Sequence, residues 1–235
     1  MAQDSPRQLI VVCAGGHARE VASYVRDLQA AGEQIVVRAF VDDHRFDSVF
    51  EGAPILGGLV HLRSFLSEHA DAQFSYITAI RDNRARAKLI RRLDDLGALN
   101  LEPWTARHPT AIVGDAVQIG PGTCIAPGVI VTTGVTIGAH SILNVHSSVS
   151  HDASIGPLVN VSPGASICAG VTLGEGCTVG AGATVTDGIQ VGEWSVICAG
   201  AVVTDDVPAH VTVEGAPARI VQRHGRGARQ PTLAG

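Results

Sequence analysis

The residues whose types and adjacency most directly suggest chemistry are His151 and Asp152. A carboxylate beside an imidazole is the pairing that holds a general base ready to take a proton, as acyl transfer requires. On a straight strand, successive side chains point to opposite faces, so the pair serves one site only if it stands at a corner. A lone corner histidine that merely packs is the alternative. A second candidate lies near the N-terminus, where Gly15, Gly16 and His17 follow the apolar run Gln8 to Cys13. The two glycines would let a ligand approach the backbone, and the first amides of a following helix could face a phosphate. Asp42 and Asp43 close the next apolar run, Ile35 to Val41, where a carboxylate commonly takes a ribose hydroxyl. The full G-x-G-x-x-G is absent, so a plain strand-to-helix turn and surface turn acids stay open as readings.

His151 stands in a stretch with a strict period. Reading every sixth residue from Val113 to Val203 gives sixteen aliphatic side chains without a miss. Two residues before many of them lies a small or β-branched one, such as Thr123, Ser141, Ser147, Ala165 or Ala183. Both positions therefore face inward on short strands, and the next two or three residues form a corner. Aliphatic-glycine pairs at 119, 137, 155, 173 and 191 recur every 18 residues, which predicts three strands per turn and a triangular parallel β-helix. His151 is then a corner residue on one column with Thr133, Ala169 and Asp187.

Ahead of the repeat, strand, glycine turn and helix (Val21, Tyr24, Val25, Leu28) form the first half of an α/β unit. A third strand, Phe74 to Ile80, and a helix from about Arg84 to Leu96 complete a small Rossmann-like βαβ domain. The expected organisation is an α/β domain over 1–103, a β-helix over 104–220 and a flexible tail over 221–235.

The chain has 235 residues, 46% of them hydrophobic, and a net charge of −5, enough for two modest cores. It lacks the basic stripe that nucleic-acid binding requires. Its five cysteines form no C-x-x-C pair and read as small core or corner residues of a reduced, cytoplasmic protein. No apolar run approaches the ~18 residues of a membrane span, so no membrane insertion is expected.

An unbroken hexad pattern closing with Gly-Ala-Pro-Ala-Arg (215–219) resembles the left-handed β-helix acyltransferases. Adding Cys-Ala-Gly-Gly-His-Ala-Arg-Glu (13–20), Phe-Val-Asp-Asp (40–43) and His-Pro-Thr-Ala (108–111) narrows the resemblance to the bacterial nucleotide-amino-sugar N-acetyltransferases. Sialic acid O-acetyltransferase-like proteins share that layout. The resemblance implies a left-handed hexapeptide-repeat coil, a homotrimer and acetyl-CoA as acetyl donor, with no metal. Through Ser-Ser-Val-Ser-His-Asp-Ala-Ser-Ile-Gly (147–156) it makes His151 the general base, with Asp152 beside it. By position it assigns the nucleotide sugar to Gly15, Gly16, His17, Asp42, Asp43 and Arg81, and acetyl-CoA to Asn160, Ala181 and Ala199. Two departures stand out: Asn160 replaces a histidine found in several relatives, and Arg81 replaces a glycine.

Rival readings follow from the same residues. Acetylation of a sugar or sialic acid hydroxyl would use the same base. A γ-type carbonic anhydrase would use the His146–His151 spacing, but its third ligand falls near Thr110, with His108 only close. A non-catalytic nucleotide-sugar-binding protein would leave His151 without work.

Overall fold

The computed structural model describes residues 6–45 and 47–225. The chain divides into two compact units, one ending at Arg81 and resuming over Ala85–Trp104, the other comprising Asp82–Arg84 and everything from Thr105 onward.

The first unit is built on β1 (Arg7–Val12), α1 (Gly16–Ala30), β2 (Ile35–Val41), the short hairpin β3 (Val49–Phe50) and β4 (Ala53–Pro54), and α2 (Leu59–Glu68). It continues with β5 (Phe74–Thr78), α3 (Asn83–Asp94) and β6 (Leu101–Pro103). The sheet order is β2-β1-β5-β6 and every pairing in it is parallel. Ile10, Val12, Ala39, Val41, Leu62, Leu66 and Tyr76 share one core cluster, while Leu9 and Val11 are also fully buried. Burial of alternate residues on both faces explains why β1 reads as a continuous apolar run. Three elements go beyond the sequence expectation: α2, which buries Leu59, Leu62 and Leu66; the β3–β4 hairpin; and β6.

Register places the chemistry. Val12 pairs with Val41 on one side and Thr78 on the other, so the segments leaving all three strands emerge at one edge. In parallel sheets that carboxyl edge is where ligands bind.

The second unit is a three-sided parallel β-helix. Apart from the last two, Val211–Glu214 and Arg219–Arg223, its strands are two residues long; they stack into sheets of eight, six and five strands, with partners such as Ile125↔Leu143 and Val149↔Ile167 offset by 18 residues. The solenoid begins one rung before the expected Val113, because Ala106–Arg107 pairs with Cys124–Ile125. From Ile125 to Val203 every aliphatic hexad residue is at most 2% exposed. Val113 and Ile119, in the first coil, are only partly buried. Above this ladder runs a second one of inward hydroxyls: Thr123, Ser141 and Ser195 donate to the carbonyls of Gly138, Gly156 and Pro208 at 3.0, 2.9 and 2.7 Å.

Each corner turns on one left-handed residue, the third beyond the aliphatic. From Ala116 to Gly200 fifteen such positions have positive φ, and nine are glycine. Four of the larger residues that stand there lie over a glycine one coil below: His140 over Gly122, His146 over Gly128, Asp152 over Gly134 and Trp194 over Gly176.

The expected flexible tail from residue 221 begins inside a paired strand. Arg219–Arg223 pairs antiparallel with Val211–Glu214 and caps the last coil, with Gly215 at φ 97° in the connecting turn. Ladder hydrogen bonds hold this strand although all its side chains are exposed, which composition alone does not reveal. Residues 226–235 of that expectation lie outside the described residues. Among the described residues no helix is long and apolar enough to cross a membrane.

Two stability predictions follow. Ser147 is 1% exposed in a column whose next three places hold Ala165, Ala183 and Ala201, and its hydroxyl has no hydrogen-bond partner. Ser147→Ala should therefore raise stability by about 1 kcal/mol, whereas Ser141→Ala, which also strands the Val159 amide, should lower it by a similar amount. Urea midpoints of the two variants check this. Gly188 and Gly176 share a left-handed φ (71° and 65°), but a Cβ on Gly188 meets open space and one on Gly176 overlaps the Trp194 ring. Gly188→Ala should cost about 1 kcal/mol, and Gly176→Ala about 1–3 kcal/mol more, in the same assay.

Candidate active site

His151 and Asp152 occupy the second and third places beyond Val149, at a corner of the six-stranded face. Asp152 takes the left-handed φ of 59°, so its side chain does not point away from that of its neighbour. His151 Nδ1 and Asp152 Oδ2 lie 2.8 Å apart, and both side chains are well exposed. The carboxylate accepts from Nδ1–H, which leaves the Nε2 lone pair facing outward to take a proton. Gly134 lies directly below, where a Cβ would stand 2.9 Å from Asp152 Oδ1, so the glycine makes room for the carboxylate. The rung is fixed from both sides, because Asp152 donates its amide to the Thr133 carbonyl and Gly170 donates to that of His151.

A different corner carries Ala181 and Ala199. They stack 18 residues apart, with Gly200 donating to the Ala181 carbonyl at 2.9 Å, and both are exposed. The left-handed Gly164, Gly182 and Gly200 on this column have nothing within 4 Å of a built Cβ, so the corner is a bare strip. Asn160 belongs to neither corner. It lies on a strand of the eight-stranded face, 8% exposed, with its Oδ1 buried and unpartnered.

The first unit gathers the other candidates at its sheet edge. Both Asp42 oxygens are engaged: Oδ2 accepts from the Ala14 amide and Oδ1 from the His44 amide, each at 2.8 Å. Asp42 thus pins the glycine turn to the end of β2, a positioning role that the sequence reading did not contain. Asp43 faces the N-terminus of α2, where its carboxylate fills the space of a Gly58 Cβ, and it lies 3.6 Å from Arg92. Gly15 and Gly16 have nothing within 4 Å of a built Cβ and neither has a positive φ, so these glycines leave space rather than relieve strain. His17 is buried; its Nδ1 is 2.8 Å from Glu20, while Nε2 is buried without a partner. The hydrogen bond from His17, with Arg81 adding a smaller attraction, holds the Glu20 carboxyl below the usual carboxylate range. Arg81 itself is exposed.

A cavity of about 240 Å³ opens at this edge, lined by Cys13, Asp42, Asp43, His44, Lys88 and Arg92 among others. Lys88 and Arg92 lie on the charged face of α3 and carry no signal in the sequence beyond that of a solvated helix. Cys13 is not an activated thiol: burial, then Asp42 and Asp43, pushes it up to about 11. Burial pushes Cys177 up to about 12 and raises Cys168 and Cys198 as well.

The three solenoid histidines stand on three different corners of the chain, which separates the His146–His151 pair considered for a metal. His108 is buried and its Nδ1 accepts from the Thr110 amide at 3.1 Å. Among the described residues no three His, Cys, Asp or Glu side chains gather as a metal site.

Comparison with known proteins agrees with this division. Residues 8–93 match the PglD N-terminal domain family, and residues 152–187 and 170–205 match the bacterial transferase hexapeptide family. A comparison with curated proteins finds no match. Perosamine N-acetyltransferase from Caulobacter crescentus, solved as a histidine-to-asparagine variant with CoA and GDP-perosamine, is 31% identical, with a TM-score of 0.81 over 92% of this chain and 97% of that one. The acetyltransferase domain of PglB from Neisseria gonorrhoeae is 31% identical, with a TM-score of 0.82 over 92% of this chain and 100% of that one. WeeI from Acinetobacter baumannii is 30% identical, with a TM-score of 0.79 over 92% and 100%. The solenoid is therefore the left-handed hexapeptide coil, and the chain belongs to the family of left-handed β-helix acetyltransferases in which a PglD N-terminal domain precedes the repeat.

Proposed function

We propose that this protein transfers an acetyl group from acetyl-CoA to the amino group of a nucleotide-linked 4-amino-4,6-dideoxy sugar, with His151 as general base. The observation that carries the reading is the His151–Asp152 pair, 2.8 Å apart on an exposed left-handed corner. Its support is the similarity across both units to an enzyme solved with CoA and GDP-perosamine.

Asp152 holds the Nδ1–H tautomer, so His151 Nε2 takes a proton from the sugar amine as the nitrogen attacks the thioester carbonyl. A C–N bond forms, the C–S bond breaks, and the departing CoA sulfur receives the proton back from the imidazolium. No covalent bond to the protein is needed.

The bare strip of Ala181, Gly182, Ala199 and Gly200 suits a long cofactor chain lying along a corner, because no side chain stands in its way. Asn160 would turn its amide toward the same ligand, giving its orphaned Oδ1 a partner; unlike histidine it cannot relay a proton. Gly15, Gly16, His17, Asp42, Asp43 and Arg81 would hold the nucleotide sugar. With Nδ1–H given to Glu20, His17 Nε2 is an acceptor for a ligand hydroxyl. The base and the cofactor strip occupy different corners of one chain, which accords with a homotrimer whose sites lie between subunits. The five cysteines, none of them in a disulfide, accord with a reducing, cytoplasmic setting.

With a GDP-linked 4-amino-4,6-dideoxy sugar as acceptor, His151→Ala should lower kcat by on the order of 10² to 10⁴. Binding of acetyl-CoA and nucleotide sugar, measured by calorimetry, should persist, as it does for CoA and GDP-perosamine in the histidine-to-alanine variant of the Caulobacter enzyme. Near-normal turnover by folded His151→Ala would remove this residue from the base role.

A further inference from the structure

Two of the helix N-termini at the ligand edge of the first unit, those of α1 and α2, are treated differently. That of α2 already has the Asp43 carboxylate against Gly58. That of α1 has Gly15 as its N-cap, no side-chain cap hydrogen bond and no acidic residue in the first turn. Its first amides, which have no intrahelical acceptor, face space that the missing Cβ atoms of Gly15 and Gly16 leave open. Helix geometry alone does not make a site, but two further side chains stand beside it. His17, in the first turn, keeps Nε2 buried and unpartnered. Arg45, from the loop after β2, reaches back to the glycine turn, with Nη1 3.2 Å from the Ala14 carbonyl.

We infer that Arg45 is the residue that binds the diphosphate of the nucleotide sugar, closing over the N-terminus of α1. The inference rests on the proposed substrate class. Three contacts position the Arg45 guanidinium or the chain just before it. Asp42 pins the loop's start through the His44 amide, the Phe50 ring lies 4.8 Å below the guanidinium carbon, and Ala14 accepts its Nη1. Its other partner is Asp47, at 2.9 Å from Nε and 2.8 Å from Nη2. Asp47 is exposed, and exposed ion pairs are worth about 0–1 kcal/mol. A diphosphate, with more charge and with oxygens spaced for a planar fork, would take over the two N–H groups that Asp47 now occupies. In the absence of nucleotide Asp47 therefore keeps Arg45 extended toward the turn, and in its presence Asp47 is displaced into water.

The test uses the full chain and three probes, GDP, UDP and inorganic pyrophosphate, titrated by calorimetry, with acetyl-CoA as control. Arg45→Ala should weaken all three by roughly 10- to 100-fold, the worth of losing charge-assisted hydrogen bonds, and leave acetyl-CoA affinity unchanged. Arg45→Lys should fall between, because an ammonium keeps the charge and loses the fork. Asp47→Asn should bind the probes as tightly as the wild type or more so. Unchanged GDP affinity in folded Arg45→Ala overturns the inference, as does failure of the wild type to bind any of the three. Should the wild type bind GDP through Arg45 yet acetylate no amino sugar, the proposed reaction fails while the diphosphate site stands.

Discussion

The solenoid depends on one backbone constraint: one residue in every six must take a left-handed φ so that the chain can turn between two-residue strands. Glycine satisfies it at no steric cost, and a non-glycine residue costs about 1 kcal/mol. His140, His146, Asp152 and Trp194 meet this cost, each over a glycine of the coil below. Asp152 is where the cost acquires a chemical return. Only a corner, not a strand, lets two successive side chains share one hydrogen bond, and the left-handed turn is what brings its carboxylate to the His151 ring. A strained residue with its side chain in a proton-handling pair is the pattern expected of an active site.

The first unit obeys a different rule with a similar outcome. Parallel register brings the ends of β1, β2 and β5 to one edge, and Asp42 ties two of those ends together through backbone amides. Its carboxylate is thus a structural pin. What remains open at the edge is the N-terminus of α1, bordered by two glycines that no turn geometry demands, and beside it an arginine held by a weak exposed pair. In the proposed reaction the second unit would supply the proton acceptor and the first the edge that takes the nucleotide anion.

The sequence made the solenoid legible almost residue by residue, because inward aliphatic positions recur in a strict period and β-helix packing tolerates no slip. It also made the dyad legible, since adjacency in sequence became adjacency in space. It was less informative where a role depends on long-range placement. Arg45, Lys88 and Arg92 read as solvated charges, and nothing local tells that the first reaches Ala14 or that the others line a cavity. His17 reads as part of a turn, and its burial with one nitrogen on Glu20 appears only in the fold. Helix α2 did leave a trace in the spacing of Leu59, Leu62 and Leu66, masked by the Gly57-Gly58 turn before it and by its short length. The strand Arg219–Arg223 left none, because its stability comes from backbone pairing with Val211–Glu214 rather than from its own side chains.

The central claim is that the acceptor is an amine on a nucleotide-linked sugar. Its most direct test is free-thiol release from acetyl-CoA with matched acceptors, a GDP-, UDP- or dTDP-linked 4-amino-4,6-dideoxy sugar against the 4-hydroxy counterpart of each, and with free sialic acid. The account predicts turnover with an amino sugar, a product heavier by one acetyl group on nitrogen, and no turnover with the hydroxy counterparts. Thiol release with hydroxyl acceptors alone, or with none of the acceptors in folded protein that binds acetyl-CoA, would contradict it.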